Sequence, residues 1–266
     1  ASLGIERWLE RRVVEKADLL VANTEMLSEA FRKAYGSQLS DRCVCITNGF
    51  DGELFSSFGP VEKEKVFTIT YTGTLYFGRT PEPVFQAVHE LIHEERIDAQ
   101  SIRIRLVGHC QVIDGRPTGE IVHDYQLEGI VEVLKPVSYK RAIEMVKQSQ
   151  LALLLAPNQP YQIPAKAYDY MGAGTRILAL AEDGATCDLV RSTGVGAAFR
   201  PSDTAGIKEF LLRSMKYDCL SIQSKNKGPV SEYEIQSLTR RLAQYLDSFS
   251  SQAERAERVG GSGHAA

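Results

Sequence analysis

The sequence predicts an α/β protein built on a doubly wound, parallel, Rossmann-like sheet. Strand-length apolar segments alternate with amphipathic helix-length segments from residue 66 to residue 215. Several of the strands, such as residues 66–73 (VFTITYTG) and 151–156 (LALLLA), are nearly continuous in apolar and β-branched residues. Strands of that composition are typical of a parallel sheet that helices cover on both faces. Sheets of this kind bind ligands at the carboxyl ends of their strands.

Hydrophobic periodicity and helix-stop residues give the order of the elements. Ahead of the regular region we predict helices at 5–16 and 25–34, and short strands at 19–22 and 44–47. The sheet is predicted from strands at 66–73, 102–108, 130–134, 151–156, 176–180 and 194–199. Its helices are predicted at 83–94, 121–127, 139–147 and 205–215, with a last helix at 232–249. A further helix starts at Pro164, which suits a first turn, and ends at Gly172 and Gly174.

Composition excludes several classes of protein. The chain has 266 residues, of which 43% are hydrophobic and 24% charged, so one large or two small globular domains are expected. A net charge of -3 without a long basic run argues against a nucleic-acid partner. No stretch is long and apolar enough to cross a bilayer.

The cysteines predict a reducing compartment. There are five of them, an odd number, and their spacing fits neither a zinc site nor a disulfide framework. Cys43 and Cys45 lie in a strand-like segment, where alternate side chains favour packing in a core. We therefore expect reduced thiols in a cytoplasmic protein, and peripheral attachment to a membrane stays open.

The first candidate site residues lie in the loop at residues 73–79 (GTLYFGR), which follows a predicted strand. Gly73 would let the backbone approach a ligand closely, and Arg79 offers a planar donor that suits phosphate. The loop matches neither the P-loop pattern nor G-x-G-x-x-G. An Arg79 side chain that simply lies in water is the alternative.

Two more strand ends carry polar residues. His109 follows Gly108 at the end of one strand, where it could contact an anion or a sugar or simply be solvated. Lys166 and Asp169 share one face of the helix that precedes the strand at 176–180. They either pair with each other in water or bind a ligand that has both anionic and hydroxyl groups.

Five stretches in the same order resemble one known family. They are VCITNGFDGELF (44–55), YTGTLYFGR (71–79), IRIRLVGH (102–109), IPAKAYDYMGAGTRILAL (163–180) and GVGAAFRPSD (194–203). Together they resemble the C-terminal, nucleotide-sugar-binding half of GT-B glycosyltransferases of the family 4 type, also called group 1. The fourth stretch is the most specific of the five.

The resemblance implies roles for individual residues. Arg79 and Lys166 would contact the diphosphate of a nucleoside diphosphate sugar and stabilise it as it leaves, which makes them the candidate catalytic residues. Asp169 would hold the ribose hydroxyls, and the backbone at Gly73 and Thr74 would lie against the phosphates.

Other positions depart from the family pattern or add to it. Thr74 stands where the family commonly has an arginine, so one phosphate-binding cation is absent. Tyr161 stands eight residues before Asp169, where many members have a glutamate that faces the sugar. We therefore keep Tyr161 as a sugar-facing candidate and His109 as a further donor-binding candidate.

The resemblance also implies an activity and a domain organisation. We expect a hexosyltransferase-like enzyme that moves a sugar, with retention of configuration, from a nucleoside diphosphate sugar to an unknown acceptor. A UDP-sugar and polysaccharide biosynthesis are the working expectation, and the absence of Asp-x-Asp agrees with a reaction that needs no metal or other cofactor. We predict a remnant of the N-terminal acceptor domain at 1–40, the donor-binding domain at 41–225, a C-terminal crossover helix at 226–250 and a disordered tail at 251–266.

The expected protein is thus a piece of a longer transferase. The chain alone should bind a nucleotide but turn over slowly or not at all, because the acceptor domain is missing. Two other functions stay open: a non-catalytic module with the same fold, and an NAD-dependent oxidoreductase.

Overall fold

A computed structural model describes residues 2–39, 41–76, 78–216 and 230–260. Its helices are α1 (Ser2–Lys16), α2 (Glu25–Tyr35), α3 (Gly52–Ser57), α4 (Glu82–His93), α5 (Thr118–Asp124), α6 (Tyr139–Gln148), α7 (Lys166–Gly172), α8 (Ala185–Thr193), α9 (Thr204–Lys216) and α10 (Ile235–Gly260). Its strands are β1 (Leu20–Ala22), β2 (Cys43–Cys45), β3 (Phe67–Thr74), β4 (Ile102–His109), β5 (Val112–Ile113), β6 (Arg116–Pro117), β7 (Val131–Leu134), β8 (Leu151–Ala156), β9 (Arg176–Ala181) and β10 (Gly196–Phe199).

The chain divides into two compact units, Ala1–Gly49 with Ser231–Ala266, and Phe50–Val230. In the smaller unit β1 and β2 pair in parallel, and Cys43 and Cys45 are both buried, as their alternation predicts. Helix α10 belongs to this unit, where Arg241 donates a hydrogen bond to the carbonyl of Cys45 at 3.1 Å.

The first domain boundary therefore differs from the predicted one. The break falls after Gly49 and not after residue 40, because β2 pairs with β1 and not with the large sheet. A three-residue strand carries no local sign of its partner, so the sequence could not show this. The predicted crossover helix groups with the N-terminal segment, and residues 226–229 lie outside the described residues.

The larger unit contains a six-stranded sheet in the order β10-β9-β8-β3-β4-β7, and every adjacent pair is parallel. This confirms the predicted parallel α/β sheet. Every residue of β8 is buried, as expected of a central strand that is covered on both faces. The one buried arginine side chain among the described residues, Arg105 on β4, is paired with Glu64 at 3.1 Å and Glu132 at 3.3 Å.

Two helices were missed by the periodicity. Helix α8 has a largely polar sequence (ATCDLVRST), so its buried face is hard to see in the chain. Helix α3 was not predicted, yet the Asp51 side chain accepts a hydrogen bond from the Leu54 amide at 3.1 Å and so caps a helix.

Two helix boundaries also differ. Helix α7 begins at Lys166 with Ala165 as its N-cap, so Pro164 precedes the helix and does not lie in its first turn. Helix α10 begins at Ile235 and continues to Gly260, across residues 251–260 that we predicted to be disordered. The remaining tail, 261–266, lies outside the described residues.

Candidate functional site

The carboxyl ends of β3 and β4 meet at two glycines. Gly73 and Gly108 are partners in the parallel register, with φ angles of +129° and +128°. A Cβ atom on Gly108 would lie 2.1 Å from the carbonyl oxygen of Gly73. A side chain at either position would therefore be strained, and the two strand ends approach each other with their backbones bare.

Lys166 covers the bare backbone of Gly73. A Cβ atom on Gly73 would lie 2.4 Å from Cε and 2.6 Å from Nζ of this lysine. The ammonium also lies 5.9 Å from the centroid of the Tyr71 ring. Burial and then the nearby Arg79 charge lower the pKa of Lys166. The lysine is thus held in a place that disfavours its own positive charge.

Arg79 is the second cation of this site. Its guanidinium stacks on the Tyr76 ring at 4.5 Å, donates to the Tyr76 hydroxyl at 3.0 Å and reaches Gln159 at 3.5 Å. Its Nε is buried and has no hydrogen-bond partner. Within the described ranges, no carboxylate oxygen lies within 4.0 Å of a side-chain nitrogen of Arg79 or Lys166. Two neighbouring cations that have no carboxylate within ion-pair distance make a site that is suited to an anion.

Asp169 is held by a residue from another helix. The Tyr139 hydroxyl donates a hydrogen bond to its Oδ1 at 2.7 Å, and no group in the described parts of the chain donates to Oδ2. The alternative of a Lys166–Asp169 ion pair is not found, because no contact within 4.0 Å joins them in the described structure. Burial raises the pKa of Asp169, against the hydrogen bond from Tyr139 and the charge of Lys166.

The remaining predicted residues lie around this centre. Thr74 is exposed, and its carbonyl accepts a hydrogen bond from the Tyr71 hydroxyl at 2.8 Å. His109 is its partner in the strand register and is also exposed, which agrees with the solvated alternative. Tyr161 lies between β8 and α7 with 46% of its surface exposed. The structure therefore joins Gly73, Lys166 and Arg79 closely and leaves His109 and Tyr161 at the rim.

Sequence reasoning missed the side chains that fix these groups. Tyr170 places its hydroxyl 3.2 Å from the amide nitrogen and from Oγ1 of Thr72, and so ties α7 to β3. The Cys110 thiol donates to the Gly73 carbonyl at 3.3 Å, and burial raises its pKa to about 12. Tyr170 lies inside the fourth motif and could have been noticed there, whereas Tyr139 carries no local signal.

A second polar region occupies the ends of β9 and β10. A cleft of about 430 Å³ is lined there by residues that include Asp183, Arg191 and Arg200. Asp183 pairs with Arg200, and its Oδ1 lies 3.8 Å from Nη2 of Arg191. Glu182 lies 3.9 Å from Arg200. The positive charges of this cleft are thus already matched by carboxylates.

Helix α4 carries a short pattern that resembles a metal-binding motif. Residues 89–93 (HELIH) match the two-histidine helix pattern of zinc peptidases. Glu90, at the position of the general base, is instead paired with Lys208 at 2.9 Å. Across the described residues, no group of three His, Cys, Asp or Glu side chains could hold a metal ion. Within the part of the chain that the structure describes, the pattern therefore marks no metal centre.

Among the helices that the structure describes, none is both long enough and apolar enough to cross a bilayer.

Comparisons with known proteins agree on one class of enzyme. No protein-family model matches the chain. A curated relative, the D-inositol 3-phosphate glycosyltransferase of Gordonia bronchialis, is 26% identical over 183 residues. The match covers 64% of this chain but 39% of the relative, so the chain corresponds to well under half of that protein.

Solved structures match over most of the chain. HepE of Anabaena, solved with UDP and glucose, aligns with a TM-score of 0.67 and 17% identity, over 91% of this chain and 66% of its own. Sucrose-phosphate synthase from Thermosynechococcus elongatus aligns with a TM-score of 0.68 and 16% identity, over 92% of this chain and 61% of its own. Trehalose 6-phosphate synthase from Burkholderia multivorans aligns with a TM-score of 0.67 and 11% identity, over 91% of this chain and 62% of its own. The six-stranded parallel α/β fold of this chain is thus the fold of GT-B glycosyltransferases.

Proposed function

We propose that this chain is the donor-binding portion of a retaining GT-B glycosyltransferase of the family 4 type. Its donor is a nucleoside diphosphate sugar, and hexosyl transfer is the expected reaction. The observation that carries the proposal is the pair of cations, Lys166 and Arg79, that stand without a carboxylate beside the bare backbone of Gly73. The name of the curated relative supports a glycosyltransferase, and the neighbour solved with UDP and glucose supports this class of donor.

The cations would act on the leaving group. When the bond between the anomeric carbon and the diphosphate breaks, negative charge grows on the phosphate oxygens. Lys166 and Arg79 are already fixed, by packing on Gly73 and by stacking on Tyr76, so they would stabilise that charge without reorganising. Because Lys166 is half-buried, its attraction for the phosphate is less screened than at a surface.

Asp169 would bind the nucleoside. Its Oδ2 is open to a donor, and a carboxylate accepts hydrogen bonds from vicinal ribose hydroxyls well. Thr74, His109 and Tyr161 would face the phosphates and the sugar from the rim, where their exposure leaves room for a ligand. Tyr161 in place of a carboxylate would change how the donor sugar is held.

The whole reaction would need residues outside this chain. We propose that the acceptor site and the general base belong to a further domain, so that this chain alone transfers sugar slowly. We also propose that the reaction runs in the cytoplasm without a metal ion. Undiminished transfer by the full transferase in EDTA would support the metal-free reaction, and loss of activity that Mg²⁺ restores would contradict it.

Calorimetry tests the proposed binding directly. UDP, GDP and ADP are titrated into the chain, into Asp169→Ala and into Asp188→Ala, which removes an exposed carboxylate on α8. We expect one nucleotide to bind, and Asp169→Ala to weaken it by roughly 10- to 100-fold, as for a hydrogen bond to a charged group. Asp188→Ala should bind normally. Equal binding by all three proteins would remove Asp169 from the site.

A non-catalytic module is the second candidate. Thr74 and Tyr161 motivate it, because they replace charged residues at two proposed ligand positions. A chain that binds none of the three nucleotides would favour this alternative. Quenching of NADH fluorescence on mixing would instead favour the oxidoreductase.

A further inference from the structure

Asp169 and Lys166 are kept apart although their spacing would let them pair. They lie three residues apart on α7, a separation that commonly brings side chains together. The lysine instead packs on Gly73, and the carboxylate accepts its hydrogen bond from Tyr139. Each charge is therefore held by a separate partner and stays available to a ligand.

Tyr139 is well placed to hold the carboxylate. It is the first residue of α6, whose start is fixed by Ser138, since the Ser138 Oγ accepts a hydrogen bond from the Arg141 amide at 3.3 Å. Half of the Tyr139 surface is exposed, so packing in the core does not explain its position. The 2.7 Å hydrogen bond to Asp169 is the polar contact of its hydroxyl.

The hydrogen bond constrains the geometry of the carboxylate. With Oδ1 occupied by Tyr139, rotation of the carboxylate about its own axis would break a short bond between a phenol and a charged oxygen. Oδ2 is then the oxygen left to accept a donor from a ligand. A fixed acceptor binds better than a rotating one, because less side-chain freedom is lost on binding.

We propose that Tyr139 is a positioning residue that holds Oδ1 of Asp169, so that Oδ2 accepts a hydrogen bond from a ribose hydroxyl of the nucleotide. The inference rests on the proposed nucleotide binding and adds a residue to it. Tyr139 acts through Asp169, so its effect should exist only when the ligand has a hydroxyl to offer.

The experiment compares UDP with 2′,3′-dideoxy-UDP, which lacks both ribose hydroxyls. Calorimetry is done on the chain, on Tyr139→Phe, on Asp169→Asn and on the double variant. Tyr125→Phe is the matched control, since it removes a hydroxyl from a tyrosine that packs against Phe85 away from the site.

We expect Tyr139→Phe to weaken UDP by roughly five- to tenfold, which is typical of one lost hydrogen bond, and dideoxy-UDP by less than about twofold. The double variant should bind UDP no more weakly than Asp169→Asn. Tyr125→Phe should bind both ligands like the unaltered chain.

Three results would overturn the inference. Equal weakening of UDP and dideoxy-UDP would show that Tyr139 only supports the fold, and unchanged UDP binding would show that it has no role. Either of these leaves the proposed function intact. A chain that binds neither ligand would overturn the proposed UDP site, and the inference with it.

Discussion

Two cationic regions lie at the same edge of one sheet and differ in their partners. At the end of β3, Lys166 and Arg79 stand beside bare backbone, and the Arg79 Nε is buried without a hydrogen bond. At the ends of β9 and β10, Arg200 and Arg191 are each paired with Asp183. The cations of the first region are half-buried and form no ion pair with the described residues, while those of the second region are exposed and paired with carboxylates.

The candidate site is thus distinguished by cations that lack carboxylate partners, and not by the volume of a cleft. The cleft at β9 and β10 measures about 430 Å³, yet its cations already have carboxylate partners. Exposed pairs of this kind contribute little to stability or binding. Keeping unpaired cations near each other is costly, and such arrangements concentrate where a ligand supplies the missing charge.

The largest effect should come from Lys166→Met, which keeps the length of the side chain and removes its charge. We expect UDP to bind about 100-fold more weakly, because a charge-assisted contact to phosphate is lost. The melting temperature should rise slightly, since burial lowers the pKa of Lys166 and so disfavours its charged form. Calorimetry and thermal unfolding measure the two effects.

Lys140→Met is the control for that change, because Lys140 is exposed on α6. It should bind UDP normally. If Lys166→Met and Lys140→Met lost the same affinity for UDP, the loss would follow from the net charge of the protein and not from the position of Lys166.

Gly73→Ala should have the next largest effect. The new Cβ would collide with Lys166, and the φ of +129° disfavours any side chain. We expect the free energy of unfolding to fall by about 1–3 kcal/mol and UDP to bind at least tenfold more weakly. Gly119→Ala is the control, because its Cβ would meet nothing within 4 Å. Normal UDP binding by Gly73→Ala would mean that the lysine need not lie on the bare backbone.

A smaller effect should appear in the pH dependence of UDP-glucose binding. Burial raises the pKa of Asp169, so its carboxylate takes up a proton at a less acidic pH than usual. The protonated form accepts ribose hydroxyls less well, and affinity should fall several-fold as the pH drops through that pKa. UDP-glucose is the ligand of choice because its diphosphate diester does not titrate in this range.

The groups around Asp169 set the controls for the pH profile. Tyr139 and Lys166 both oppose the raised pKa, so Tyr139→Phe should move the loss of affinity to higher pH. His109→Gln is a control at an exposed neighbour of the site, and it should keep the acid limb, the loss of affinity at low pH, if Asp169 causes it. Asp169→Asn should remove the limb. A limb that survives in Asp169→Asn would refute the assignment.

The smallest effect is expected from Arg200→Gln at the paired region. Its guanidinium is balanced by Asp183 and Glu182, so UDP affinity should stay within about twofold and the melting temperature should hardly change. Arg79→Gln is the matched change in the unpaired region, and it should weaken UDP by roughly tenfold. Similar losses of UDP affinity in Arg200→Gln and Arg79→Gln would show that the two regions do not differ in ligand binding.

Much of the sheet could be predicted because its central strands are buried on both faces. The bounds of β8 agree with its apolar run. Strand β4 differs from the prediction by one residue at one end, and β3 by one residue at each end. Helix α8 was missed, because it has only nine residues and a largely polar sequence (ATCDLVRST). The domain boundary was misplaced, since the pairing of β2 depends on a strand more than twenty residues away in the chain.

The sequence by itself determined the strand order along the chain, the glycines at the strand ends and the presence of Arg79, Lys166 and Asp169 after two of the strands. These features depend on local periodicity and on backbone preference, which a segment carries with it. Only the tertiary structure decided that Lys166 lies on Gly73 and that Tyr139 binds Asp169 across 30 residues. Contacts of that kind depend on which strands become neighbours and on how charges share a buried space, and no single segment encodes either.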